Sequence, residues 1–144
     1  MPYIKVWIHY VWSTKNREAI LTDSFQDSLF DHIKQNARLK NIYLDRVNGY
    51  YDHVHCLVSL GSDQTIEKIA QLIKGEFSFW FNNKSGFNTS RLEWQDEYFA
   101  VSVSESAVGN VRAYIDNQVS HHKKKTFMDE HDEFINKYGF QKFG

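Results

Sequence analysis

The stretch Asp52-His53-Val54-His55-Cys56-Leu57-Val58 constrains this chain more than any other. Its period is two, so it reads as a strand whose alternate side chains share a face. Val54, Cys56, Val58 and Leu60 then point into a core, while His53 and His55 project together from the opposite side. Such a strand needs packing on one face and a partner for two imidazoles on the other. Two histidines one strand repeat apart suit a divalent metal. Histidines that are simply half-buried on a strand are the alternative, and a partner element decides between the two.

The rest of the chain supplies strands and helices in a regular order. Residues 3–12 alternate, with Ile4, Val6, Ile8, Tyr10 and Trp12 on one face and Lys5, Trp7 and His9 on the other, predicting a central strand. Ser13-Thr14-Lys15-Asn16-Arg17 is a basic loop, either a solvated connection or a phosphate contact. Thr22 or Asp23 starts a helix, with Gln26 as a capping-box partner and Phe25, Leu29, Ile33 and Ala37 as its buried stripe. The helix is expected to end near Lys40-Asn41. Ile42 to Asn48 predicts a second strand, and Gly49-Tyr50-Tyr51-Asp52 a turn into the histidine strand, making a hairpin.

Thr65 caps a second helix with Ile66, Ile69, Ile73, Phe77 and Trp80 on one face, read as core. Residues 82–90 form a polar loop. Phe99, Val101 and Val103 alternate with Tyr98, Ala100 and Ser102 in a fourth strand. A third helix is expected from Ser104-Glu105-Ser106 to about His122, and a short tail helix over 129–138. The result is one α+β domain over 1–144, a ferredoxin-like or RRM-like β-α-β-β-α-β antiparallel sheet with a C-terminal helix.

Composition narrows the class. With 42% hydrophobic and 16% aromatic residues the chain is expected to pack a globular core. One cysteine, Cys56, excludes an internal disulfide and fits a reducing cytoplasm. No apolar run reaches the ~20 residues of a membrane span, so a cytoplasmic protein is expected. A net charge of −1 neither favours nor excludes a nucleic-acid partner.

The third helix offers the partner that the histidines require. Val108, Val111, Ile115 and Val119 form its packing stripe, and Tyr114 and Gln118 lie one turn apart at the edge of that stripe. Two imidazole nitrogens and an amide oxygen leave positions open on a divalent ion, as a catalytic site requires.

In these blocks the sequence resembles the HUH-superfamily single-tyrosine transposases of the IS200-like class. The resemblance spans nearly the whole chain. It rests on Ser13-Thr14-Lys15-Asn16-Arg17, Asn48-Gly49, Asp52-His53-Val54-His55, Leu72-Ile73-Lys74-Gly75, Trp94-Gln95 with Tyr98, Tyr114-Ile115-Asp116-Asn117-Gln118 and His121-His122. It implies that His53, His55 and Gln118 hold Mg²⁺ or Mn²⁺ and that Tyr114 is the nucleophile. It further implies cleavage and rejoining of single-stranded DNA, often beside a hairpin, through a 5′-phosphotyrosine, by a homodimer in which the tyrosine helix commonly completes the partner's site.

Around this core, His9 and Asp52 are candidates for orienting a ligand histidine. Lys15, Arg17, Arg112 and Lys123, Lys124 and Lys125 are candidates for phosphate contact. His121 and His122 read as helix-end or phosphate contacts, and Trp94 and Trp12 as core rather than base-stacking residues. Three rivals remain open: a non-catalytic RRM-like single-strand binder, a metal-dependent hydrolase without a covalent step, and a domesticated or decayed relative that only binds element ends.

Overall fold

A computed structural model of the chain describes residues 2–83 (side chains of 23–25 excepted), 91–118 and 125–140. The strands are β1 (Trp7–Ser13), β2 (Tyr43–Tyr50), β3 (His53–Ser59) and β4 (Phe99–Val103), and the helices α1 (Asp23–Leu39), α2 (Ile66–Asn83), α3 (Val108–Asp116) and α4 (Phe127–Tyr138). The sheet is four-stranded in the order β2-β3-β1-β4, with every pairing antiparallel. This is the expected split-βαβ arrangement, and it puts the histidine strand in the interior of the sheet.

Alternation gives the sheet two different faces. On one, Ile8, Tyr10, Trp12, Val47, Val54, Cys56 and Val58 pack under α1 and α2, with Leu29, Ile33, Ala37, Ile69, Ile73 and Phe77 from the helices. Leu29, Ile33 and Ala37 of the predicted α1 stripe and Ile69, Ile73 and Phe77 of the α2 stripe are thus core; the Phe25 side chain lies outside the described residues, Trp80 packs at the edge and Ile66 is exposed. Trp94 joins this core, stacked on Phe77 at 5.3 Å and edge-on to Trp12 at 5.9 Å, with its indole N–H donated to the Lys74 carbonyl. On the other face a smaller cluster forms from Trp7, Leu57, Val108 and Ile115, with Val111 and Tyr114 at its margin. There α3 and α4 lie against the sheet, on the side where His9, His53 and His55 project.

Several boundaries differ from expectation. β1 begins at Trp7: Ile4 and Val6 continue the alternation but are 42% exposed, because β3 and β4 have ended at Ser59 and Val103, the partners of Trp7. β2 runs on through Gly49 and Tyr50, so the hairpin turn is reduced to Tyr51 and Asp52. Thr22 is the N-cap residue of α1, but its side chain makes no capping bond, and the Gln26 amide is turned to the Leu21 carbonyl at 2.7 Å. Thr65 does cap α2, accepting from the Lys68 N–H at 3.1 Å. α1 ends as expected, with Asn41 left-handed at φ 56°.

The third helix is split. A 3-10 turn over Glu105–Ala107 leads into α3, and Ser104, expected as a hydroxyl cap, pairs with the Ser106 hydroxyl instead. α3 stops at Asp116, where Asn117 leaves helical geometry at φ −100°, ψ 21°. Val119 and residues 121–124 lie outside the described residues. α4 starts two residues before its expected position because Thr126 and Asp129 form a capping box. Gly139 ends it at φ 56°, a conformation glycine adopts without strain.

Candidate metal and tyrosine site

His53 and His55 are completely buried on β3, and their rings are set by different neighbours. Asp52, in the hairpin turn, brings its carboxylate to 2.7 Å from His53 Nδ1. His9, from β1, brings Nε2 to 2.9 Å from His55 Nδ1. Both ligand candidates therefore have Nδ1 occupied and Nε2 aimed forward, the arrangement by which an outer partner fixes a metal-binding imidazole. Burial and the neighbouring His55 lower the His9 pKa to about 3, so His9 stays neutral.

Over the forward nitrogens sit groups from both C-terminal helices. Gln118 Oε1, just past the end of α3, is 3.1 Å from His53 Nε2, and the Gln118 amide donates to the Tyr114 carbonyl at 3.2 Å. Tyr114 lies one turn back, its ring centroid 5.5 Å from that of His55. The expected phenol–amide pair thus meets the histidine pair.

Sequence reasoning missed Glu130. This carboxylate is fully buried. Oε1 lies 3.0 Å from His55 Nε2 and 3.9 Å from His53 Nε2, while Oε2 accepts the Tyr114 hydroxyl in a short hydrogen bond. Burial first, and the Glu130 carboxylate second, raise the Tyr114 pKa, so the phenol is protonated in this arrangement. The signal for Glu130 was its position. Phe127, Glu130, His131 and Phe134 fall at helical spacing behind the capping box, so a carboxylate stands in an otherwise aromatic stripe and requires a buried partner. Phe127 stacks on His53 at 4.7 Å, and Phe134 stands edge-on to His9 at 6.3 Å.

One ligand atom from each of His53, His55 and Glu130 lies within 4.8 Å of the others, and Gln118 Oε1 adjoins them. Two imidazole nitrogens with one or two oxygens are a donor set that a borderline divalent ion accepts.

The candidate phosphate contacts scatter. Lys15 is exposed and 3.4 Å from Glu93. Arg17 is exposed, in a short turn where Asn16 and Arg17 both have positive φ. Arg112 is directed onto Asp45, with Nε and Nη2 at 2.7 and 2.9 Å from its two oxygens. Lys125 pairs with Glu133. Lys123, Lys124, His121 and His122 lie outside the described residues. Among the described residues no helix is long and apolar enough to cross a membrane.

Known proteins resemble this chain in sequence and in fold. The family model for IS200-like transposases matches residues 3–118. The ISDra2 transposase TnpA of Deinococcus radiodurans is 26% identical over 115 residues, covering 76% of this chain and 81% of its own length. A crystal structure of a candidate transposase from Deinococcus radiodurans R1 superposes with a TM-score of 0.61 at 24% identity, covering 81% of this chain and 93% of that one. The structure of a REP-associated tyrosine transposase bound to a REP hairpin gives 0.55 at 20% identity, covering 86% and 71%. The family match stops at Gln118, so α4 and Glu130 lie beyond it.

Proposed function

Because the chain belongs to the IS200-like transposase family, we propose that it is a metal-dependent strand transferase that cuts and rejoins single-stranded DNA through Tyr114. The carrying observation is that the Tyr114 hydroxyl and both histidine Nε2 atoms converge on one carboxylate, Glu130. A group with two oxygens bridges the phenol and the imidazoles, and a scissile phosphate has the same requirement: one oxygen toward the metal ligands, the nucleophile on the other side.

His53, His55 and Gln118 would hold Mg²⁺ or Mn²⁺, and imidazole ligation favours Mn²⁺. The ion's contribution is to polarise the phosphate and stabilise the leaving oxygen. Asp52 and His9 hold the ligand imidazoles in the required tautomers and orientations. Tyr114 supplies the nucleophile: its oxygen bonds to phosphorus, the bond to the 3′-oxygen breaks, and the phenol proton is released as the 3′-hydroxyl forms. The 5′-phosphotyrosine conserves the phosphodiester's bond energy, so a second strand's 3′-hydroxyl can reverse the step without ATP.

Glu130 belongs to the resting state. His53, His55, Gln118 and Glu130 are all inaccessible to solvent, so a DNA phosphate reaches them only when α4 withdraws and yields the carboxylate's place. Lys15, Arg17 and Lys123 to Lys125 remain the candidates for backbone contact, and a homodimer is proposed on the family resemblance.

The test uses single strands from the DNA flanking the protein's own gene, 3′-labelled and incubated with Mn²⁺. Label that migrates with denatured protein is expected for wild type, and is expected to disappear on chelation and in His53→Ala. Cleavage without adduct would replace this reading with a hydrolase.

A further inference from the structure

The edge strand β2 is tied to the tyrosine helix by a set of polar contacts that the chemistry itself does not use. β2 carries a bulge: Leu44 pairs with Val58 and Arg46 with Leu57, leaving Asp45 as the extra residue. A bulge re-aims side chains, and here consecutive residues both reach α3. Asp45 takes Arg112 in a two-pronged pair at 2.7 and 2.9 Å, and Arg46 lies 3.5 Å from Asp116. Two residues on, the Asn48 amide donates to the Ile115 carbonyl at 2.9 Å and the Asp116 carbonyl at 3.3 Å. Ile115 and Asp116 are the last two residues of α3, and a helix end takes outside donors of this kind.

The register gives these contacts their meaning. Asn48 is paired with His55, and Tyr50 with His53. The residue that holds the end of the tyrosine helix is therefore also the sheet partner of a metal-ligand candidate. Tyr114 precedes the held carbonyls and Gln118 follows them, across the kink at Asn117. The Asp45 side chain is 8% exposed and that of Arg112 38%, so the pair has a fixed carboxylate and a guanidinium held at its rim. Arg112 also lies over the Trp7 ring at 5.7 Å.

We propose that Asp45, Arg112 and Asn48 are positioning residues, a clamp from β2 that sets the Tyr114 phenol and the Gln118 amide against His53 and His55. The proposal rests on the strand-transferase reading, and it turns Arg112 from a candidate DNA contact into an internal one. A partly exposed ion pair adds little to stability, but a bidentate Arg–carboxylate fork fixes orientation. Misplacing a reacting group by about 1 Å can cost on the order of 100-fold in rate.

The experiment is charge reversal in the full chain: Asp45→Arg, Arg112→Asp and the two together, with Arg112→Lys and Asn48→Asp as milder variants that keep the fold if the reversals do not. Single-turnover adduct formation is read at saturating DNA, alongside DNA affinity and amide hydrogen exchange over 108–116. Each single reversal is expected to slow adduct formation by roughly 10- to 100-fold with DNA affinity within about twofold. The double variant is expected to recover most of the rate, as coupled pairs do. Arg112→Lys and Asn48→Asp are expected to slow the step without weakening DNA binding. A double variant as slow as the singles would overturn the clamp. So would an Arg112→Asp variant that loses DNA affinity where Asp45→Arg does not. If wild type forms no adduct, the strand-transferase reading fails on its own, and hydrogen exchange still decides the clamp: faster exchange in α3 for each single and restoration in the double, or no change at all.

Discussion

Gly49→Ala is a single-methyl change whose effect can be worked from the coordinates. Gly49 lies in β2 opposite Val54, beside the histidine strand. A Cβ built there meets the His53 carbonyl oxygen at 2.1 Å and the His53 carbonyl carbon and Val54 Cα at 3.1 Å. Side chains keep at least 3.0 Å from such atoms, so the two strands must part by about 0.9 Å. No flexible side chain can absorb this, because the obstacle is the backbone of a buried strand. Overpacking of that kind costs about 3 kcal/mol. The atom displaced belongs to His53, so the imidazole moves with it, and a shift near 1 Å is expected to slow adduct formation about 100-fold. Urea titration followed by circular dichroism gives the stability change, and the adduct assay, run well below the new midpoint, gives the rate. An alanine variant within about 0.5 kcal/mol of wild type, with an unchanged adduct rate, would refute the claim that strand spacing at Gly49 sets the position of His53.

Other consequences are separable. Glu130→Ala is expected to weaken Mn²⁺ binding about tenfold without DNA yet preserve adduct formation, while His53→Ala abolishes both; titration calorimetry and the gel assay read the two effects. Cys56 is buried, which raises its thiol pKa, so it is expected to resist iodoacetamide until denaturant unfolds the chain. Phe77→Ala removes a completely buried ring from beneath Trp94 and is expected to cost about 3–5 kcal/mol in urea unfolding.

The elements legible in the sequence were those governed by period. Alternation in β1 and β3 and the stripes of α1 and α2 state which side of each element is buried, and burial follows. The histidine pair was legible because His53 and His55 break an apolar strand on one face only. Tyr114 and Gln118 were legible as neighbours four residues apart, although α3 ends between them at Asn117 and their meeting with the histidines depends on how α3 crosses the sheet. Features set by contacts across the fold were not legible. Ile4 and Val6 alternate like a strand but are 42% exposed, and Val6 keeps only the edge of the ladder, its carbonyl accepting from the Leu60 N–H at 2.7 Å. Gly49 looked like a turn residue, whereas its lack of a side chain serves close strand approach. Arg112 looked like a surface cation, and only the bulge at Asp45 brings its partner to it. Glu130 was hidden because a carboxylate in a tail helix ordinarily faces water; three aligned aromatic-stripe neighbours were the sole warning.

Tyr114 is proposed to form the covalent bond to DNA. The most direct measurement of that bond is mass spectrometry of the adduct after nuclease trimming and trypsin digestion, on the peptide released by cleavage after Arg112 and Lys123. A residual nucleotide phosphate linked to Tyr114 is expected in that peptide, absent without Mn²⁺ and in Tyr114→Phe. A nucleotide on any other residue, or cleavage by Tyr114→Phe at the wild-type rate, would contradict the proposal.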